Sequence, residues 1–347
     1  MRFFYVNTGN TYPPNKHLID GLRANGHDIF EMNEAGHDLG KYVRIAKNYW
    51  QHRNAYDAII VGYPNPVFVP LMRILSLKPL IFNAVASQYE ANIISRESGK
   101  LLALQALKWW LVDAISFHMA SRVLLESNAQ IDFIHKLFFV PRKKLVRSWT
   151  GVDEEIFFYD PSIPKREAFT VLFRGKFLPE SGVLTVIEAA KKLEGSGVQF
   201  LIIGNGFMYR EVNALTNKLE STNIEMIGKK LDPKELREQM LSCHISLGQL
   251  ANHSRLSRTL PCKLFESLAL RLPYLTGRNA GALELLVENE TCFAVDPGNA
   301  DDLARKIIAL KEDLEVLARV AAQGHAFSQK HLTSRTLAHD VFNACFA

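Results

Sequence analysis

Cysteine is scarce in this sequence and never clustered. Cys243, Cys262, Cys292 and Cys345 all fall in the second half, at spacings that form neither a metal-binding pair nor a disulfide framework. Reduced thiols in a cytoplasmic protein are the expectation. No run of about eighteen uninterrupted apolar residues occurs, so no helix is expected to span a bilayer. The opening stretch Met1–Asn7 is too short an apolar run for a secretory signal and reads instead as a first strand. There is no Asp-x-Asp pair, no low-complexity segment and no short repeat. What remains is 347 residues, 48% hydrophobic and 22% charged, a soluble globular composition too long for one ordinary core and suited to two domains.

Charge is unevenly spread. Residues 1–150 hold 18 Lys/Arg against 11 Asp/Glu, a balance of +7, while residues 151–347 hold 23 against 25, a balance of −2. A basic first half points to an anionic partner such as a membrane surface or a lipid phosphate. No nucleic-acid-binding motif accompanies it, so nucleic acid is not expected.

Short apolar runs alternate with longer amphipathic ones. Strands are predicted at Arg2–Asn7, His27–Met32, Asp57–Tyr63, Pro79–Val85, Arg122–Glu126 and Lys144–Trp149, with helices between them. The pattern restarts at Phe169–Arg174 and continues through Val198–Ile203, Asn223–Ile227, Ile245–Leu250, Pro273–Thr276 and Cys292–Val295. Helices are predicted at Ser181–Leu193, Cys262–Leu270 and Ala282–Val287, among others, and a closing one at Phe327–Phe346. Strand–helix alternation implies parallel sheets covered on both faces. The expected architecture is α/β: two Rossmann-like, doubly wound domains facing an interdomain cleft. The first covers 1–155 plus a crossover helix about 327–347; the second covers 156–326. The Pro-containing, acidic segment between them reads as a linker.

Three stretches in the second half have chemical interest. In Arg174-Gly175-Lys176-Phe177-Leu178-Pro179-Glu180-Ser181-Gly182, a strand ends in a glycine and a cation. Gly175 would allow close backbone approach to a ligand, with Lys176 projecting beside it; the same stretch reads equally as a loop with a solvated lysine. Ile202-Ile203-Gly204-Asn205-Gly206 begins like a dinucleotide turn, but the third glycine position is Tyr209, which argues against a nicotinamide cofactor and leaves a tight turn or a phosphate contact. Pro261-Cys262-Lys263-Leu264-Phe265-Glu266 opens a helix whose unpaired N–H groups suit a phosphate. Lys263 and Glu266, three apart, share a face, and would serve a nucleoside diphosphate as cation and ribose acceptor, or would simply form an ion pair on an amphipathic helix.

Taken in order, these motifs resemble the retaining family 4 glycosyltransferases of the GT-B fold. The Arg174–Gly182 loop is similar to that family's Gly-Arg-Leu…Glu-Lys-Gly loop, Ile202–Gly206 to its Val-Gly-Asp/Asn-Gly turn, and Pro261–Ala269 to its Pro-x-Lys-x-x-Glu-x-x-Ala helix. Trp149–Asp153, Ala280–Glu284 and Asp296–Asn299 continue the correspondence, which covers roughly residues 145–312. The resemblance implies a hexosyltransferase-type enzyme that uses a nucleoside diphosphate sugar, with no cofactor and no metal. In it Lys176 contacts the donor diphosphate, the backbone of Pro261, Cys262 and Lys263 cradles it, Glu266 binds the ribose, and Gly228 and Lys229 hold the base. The turn after the first strand, with Gly9 and Asn10, faces the diphosphate from the other domain. Two positions depart from the pattern. Arg258 stands where a sugar-contacting glutamate is usual, and Ser181 where a second phosphate cation is usual, so Arg258 or Arg174 is the candidate for the missing charge.

Without a metal, the charge on a departing diphosphate is met by cations and helix N-termini. Transfer with retention needs no protein nucleophile, and the catalytic candidates are the positioning residues Asn83 and Ser87. The expected acceptor is a glycan or lipid-linked one, in polysaccharide biosynthesis, with the protein cytoplasmic and peripheral on the inner membrane face. The basic, aromatic segment Lys41–Arg53 and the apolar Leu101–Leu124 are the candidate membrane helices. The alternatives are a catalytically inactive sugar-nucleotide-binding partner and a sugar-nucleotide epimerase.

Overall fold

The computed structural model describes residues 1–8, 12–34, 38, 40–95 and 103–346, in two compact units: 1–153 with 332–347, and 154–331. Each is built on a six-stranded, all-parallel sheet.

In the first unit the strands are β1 (Arg2–Asn7), β2 (Asp28–Asn33), β3 (Ala58–Val61), β4 (Leu80–Val85), β5 (Arg122–Leu125) and β6 (Leu145–Arg147), ordered β2-β1-β3-β4-β5-β6. Their alternating side chains feed two cores. Phe4, Val6, Ile59, Val61 and Phe82 face one side, where α2 (Gly40–His52), α3 (Phe68–Leu75), α4 (Ala103–Met119) and α5 (Asn128–Phe138) cover them. Phe3, Tyr5, Ile60, Ile81 and Leu124 face the other, beneath α1 (Pro13–Ala24) and the final helix α13 (Ser334–Phe346). Burial on both faces explains why the inner strands β1, β3 and β4 are nearly unbroken apolar runs, whereas edge strand β2 is largely exposed and carries Asp28 and Glu31. The Ser127 hydroxyl caps α5 by accepting from Gln130 N–H at 2.9 Å.

The second unit holds β7 (Phe169–Arg174), β8 (Val198–Ile203), β9 (Ile224–Ile227), β10 (Ile245–Leu247), β11 (Tyr274–Gly277) and β12 (Phe293–Val295), ordered β12-β11-β10-β7-β8-β9. Around them stand α6 (Val183–Lys192), α7 (Tyr209–Leu219), α8 (Pro233–Ser242), α9 (Cys262–Ala269), α10 (Ala280–Leu283), α11 (Ala300–Glu312) and α12 (Leu314–His331). Asp232 caps α8 ahead of Pro233, and Asn299 caps α11. The first strand of this unit, β7, lies beside β10, so strand order reverses between them. Doubly wound sheets bind ligands beyond the carboxyl ends of their strands at such a reversal.

All twelve strands lie within three residues of their predicted ends. The helices depart more. The predicted Ser181–Leu193 helix is split into a 3-10 turn at Pro179–Ser181 and α6, because Gly182 between them has φ +72°, a left-handed backbone that ends one helix before the next begins. The predicted Ala282–Val287 helix is a single turn, α10, set two residues earlier. The closing helix is two helices. Phe327 lies in α12 of the second unit, the chain breaks at Leu332-Thr333, and Thr333 Oγ1 accepts from Thr336 N–H to start α13.

Candidate functional site

At the strand reversal of the second unit, β7 delivers Arg174 and β10 runs out into Gly248, while α9 brings Lys263 and Glu266. All three charged side chains are at least nine-tenths buried. Arg174 and Glu266 form an ion pair. Lys263 is left with no ion-pair partner among the described residues: its Nζ lies 4.4 Å from the Phe173 ring centroid and donates weakly to Gly248 O at 3.4 Å. Burial, reinforced by the nearby Arg174 charge, pulls the Lys263 ammonium from 10.5 down to about 7. A buried ammonium with no ion-pair partner among the described residues is strongly disfavoured unless an opposite charge comes close to it.

The floor of the site is backbone. Gly175 N–H donates to Ile203 O at 2.9 Å, Phe177 N–H to Asn205 O at 3.0 Å, and Gly204 N–H to Ile227 O at 2.9 Å. The loops after β7, β8 and β9 are thereby tied to one another. Gly204, at φ +155°, makes this possible, since a Cβ there would fall 1.9 Å from Gly175 O. The Gly175 backbone in turn sits against the lysine, a Cβ at that position being 3.6 Å from Lys263 Nζ. Gly228 O accepts from Asn205 Nδ2 at 3.0 Å, which fixes the end of β9; Lys229 beyond it is exposed.

Of the sequence-predicted residues, the structure therefore brings together Arg174, Gly175, Lys263 and Glu266. Pro261 is at the N-cap of α9 with extended backbone, one position before the first turn, and Cys262 opens the helix, both half-buried. Lys176 is exposed on its loop. Arg258 is buried and donates to Ser254 O at 3.1 Å. Arg174, paired with Glu266, is not a spare cation. Ser181 is buried and donates to Leu178 O at 2.6 Å, so its hydroxyl serves the turn before α6.

In the first unit, Asn83 and Ser87 are buried and engaged. Asn83 Nδ2 donates to Asn15 Oδ1 at 3.1 Å, and Ser87 Oγ accepts from Glu90 N–H at 3.0 Å. Gly9 and Asn10 lie outside the described residues. Sequence reasoning missed the asparagine network at this unit's own strand reversal, where Asn15 Oδ1 accepts from Tyr5 Oη and Tyr63 N–H and Asn65 Nδ2 donates to Gly62 O. It also missed the pair between buried Glu180 and half-buried Arg255 at 2.7 Å. Asparagines following strands β1 and β3 are a weak signal for the first, and nothing local flags the second.

Residues 156–326 match the family described as glycosyl transferases group 1. An uncharacterized glycosyltransferase of Methanocaldococcus jannaschii is 28% identical over 159 residues, an alignment covering 46% of this chain and 43% of that protein, so less than half of the relative's length is spanned. Among solved structures, Anabaena HepE in complex with UDP and glucose superposes with a TM-score of 0.75 at 16% identity, over 99% of this chain and 98% of that one. A sucrose-phosphate synthase from Thermosynechococcus elongatus superposes with a TM-score of 0.75 at 13% identity, over the same shares. At these identities the likeness is one of fold, and that fold is GT-B.

Proposed function

We propose that this chain, which belongs through residues 156–326 to the glycosyl transferases group 1, moves a sugar from a nucleoside diphosphate sugar to a glycan or lipid-linked acceptor. The observation that carries the reading is Lys263: a buried cation with no ion-pair partner among the described residues, at the strand reversal, with the Glu266 carboxylate one helical turn deeper. The HepE structures hold UDP, glucose and UDP-glucose, which favours a donor of that class here.

In this reading the bond between the anomeric carbon and the diphosphate oxygen breaks, and the acceptor hydroxyl attacks from the same face and gives its proton to the departing diphosphate oxygen, so configuration is retained. Lys263 and the N–H groups opening α9 meet the charge that develops on the departing oxygen. Glu266 accepts from the ribose hydroxyls, and the Gly228–Lys229 strand end receives the base. No metal is invoked, because Lys263 and the N–H groups opening α9 supply the compensating charge. The protein works at the cytoplasmic face of a membrane, in surface polysaccharide assembly.

Calorimetric titration with UDP, GDP and ADP, on wild type and Glu266→Gln, tests the donor assignment, and product mass spectrometry with a donor panel tests transfer. Unchanged nucleotide affinity in the variant removes the ribose role. Arg258, in place of the glutamate usual in the resembling family, favours a second reading: an inactive sugar-nucleotide-binding partner, recognised by binding without turnover on any acceptor. Interconversion of free sugar nucleotides would instead mark an epimerase.

A further inference from the structure

Helix α4 is apolar nearly all round, yet it lies on the surface of the first unit. Its inner face buries Asp113, Ser116 and Phe117 against the sheet. Its outer face presents Leu104, Leu107, Leu111 and Ile115, which are 84%, 53%, 44% and 48% exposed. Spacings of three, four and four residues set these on one stripe, shared only with Lys108 and His118. No helix among the described residues is long and apolar enough to cross a membrane. A water-facing helix gains nothing from four large aliphatic side chains in a row, and contiguous apolar surface of this kind marks a place where something else docks.

The surroundings identify what docks. Arg73 Nε donates to Met119 O at 2.9 Å, and Lys144 Nζ to His118 O at 2.6 Å, so the loops after α3 and α5 gather at the carboxyl end of α4. They add Leu77 and Phe139, 95% and 77% exposed. Residues 66–78, 103–119 and 136–144 together contain seven Lys/Arg and one acidic residue, the buried Asp113; Arg142 pairs with Asp132 of α5, and Arg73, Lys78 and Lys144 donate to backbone carbonyls, while Lys108, Lys136 and Lys143 are exposed. Two copies meeting through this face would bring like charges together, and a bilayer carrying acidic headgroups would not. Aliphatic side chains beside exposed lysines, on a surface whose net charge is positive, form the face of a helix lying in a headgroup layer. Helix α2 is a poorer candidate than its sequence implies. Arg44 is taken up by Glu34 and Asp38, at 2.9 and 3.1 Å, which neutralises the middle of its basic stripe.

We infer that the outer face of α4, with the loops after α3 and α5, is the surface by which this protein docks on an anionic phospholipid bilayer. The inference deepens the membrane part of the proposed function and does not depend on the donor site.

The test is co-sedimentation of the full-length chain with vesicles of phosphatidylcholine alone or with about 30% phosphatidylglycerol. The chain should partition to the mixed vesicles, weakly to the neutral ones, and less as salt is raised. Leu104→Glu with Leu111→Glu should abolish binding. Lys108→Gln with Lys143→Gln should weaken it about 25-fold, at about fivefold per cation. Val43→Glu with Trp50→Glu on α2 should leave it intact. Because the altered side chains are exposed, helical melting and UDP titration should match wild type, and that keeps a failure here distinct from a failure of the donor site. The inference is overturned if wild type stays in the supernatant at millimolar anionic lipid, if the leucine variant binds like wild type, or if that variant's effect is to dissolve a dimer in sedimentation velocity.

Discussion

Lys263 makes a quantitative prediction about protons. Free, its ammonium titrates at about 7, because burial and the neighbouring Arg174 charge disfavour the cation. An opposite charge at close range raises a pKa by about 1–3 units, so a bound diphosphate should return Lys263 to about 9 or 10. At pH 8.5 the free site is then about 3% protonated and the bound site mostly protonated, so binding should take up roughly 0.7–0.9 proton. Linkage makes affinity fall as pH rises above 7: from pH 6.5 to 8.5 the Kd should rise about 25-fold, or about 2 kcal/mol. The nucleotide does not obscure this, since its terminal phosphate, with pKa about 6, is already ionised above about pH 7.5. The assay is UDP titration at pH 8.5 in buffers of differing ionisation enthalpy, with Kd followed across the range. Lys263→Met should bind weakly and show neither proton uptake nor the pH slope. A buffer-independent enthalpy at pH 8.5, or a level Kd from 6.5 to 8.5 in wild type, would refute the reasoning.

Removing the Glu266 carboxylate by Glu266→Ala should cost about 3–5 kcal/mol in urea unfolding, because Arg174 is left buried and uncompensated; adding Arg174→Met should recover much of the loss. Gly204→Ala, whose Cβ would meet Gly175 O, should destabilise the second unit by about 2–5 kcal/mol in the same measurement and weaken UDP binding with it. The first unit carries two opposed acid–base couplings. His17, which burial lowers from 6.5 to about 4, leaves the folded state with fewer protons than the unfolded one in that window, so stability is lost as pH falls from 6.5 to 4, by about 3 kcal/mol. Asp113, raised by burial from 3.8 to about 7, acts the other way and costs stability as pH rises through that range. All four tryptophans (Trp50, Trp109, Trp110, Trp149) belong to this unit, so their fluorescence isolates its unfolding: His17→Gln should flatten the acid loss, and Asp113→Asn should raise the urea midpoint above pH 7.

How far these features could be foreseen depends on whether they are local. Strands such as Phe169–Arg174 are buried on both faces and so announce themselves as apolar runs. Helix ends are settled by single turns, and the breaks at Gly182 and Leu332-Thr333 interrupt patterns that read as continuous. In the site, Lys263 and Glu266 were legible because helical spacing relates them. The partner of Glu266 was not: Arg174 is 92 residues away and meets it only because β7 and β10 are neighbours out of chain order. The dehydration of Lys263 is likewise a property of the packed Phe173 ring and three loops rather than of any motif. Arg258 and Arg174 looked available for phosphate in the sequence, yet Arg258 is bonded to a backbone oxygen that its own turn brings within reach and Arg174 is paired with Glu266.

The last helix has a bearing on how the molecule is made. Ala338, Val341 and Cys345 of α13 complete the layer over Phe3, Tyr5 and Ile60, on strands that leave the ribosome long before that helix. The amino-terminal unit must therefore wait, one sheet face covered only by α1, until the entire carboxyl-terminal unit has been synthesised, and the later-made unit is the first able to finish folding. During that interval the nascent chain exposes a stripe of aromatic and branched side chains, and shortening the protein by its final turns would make the exposure permanent.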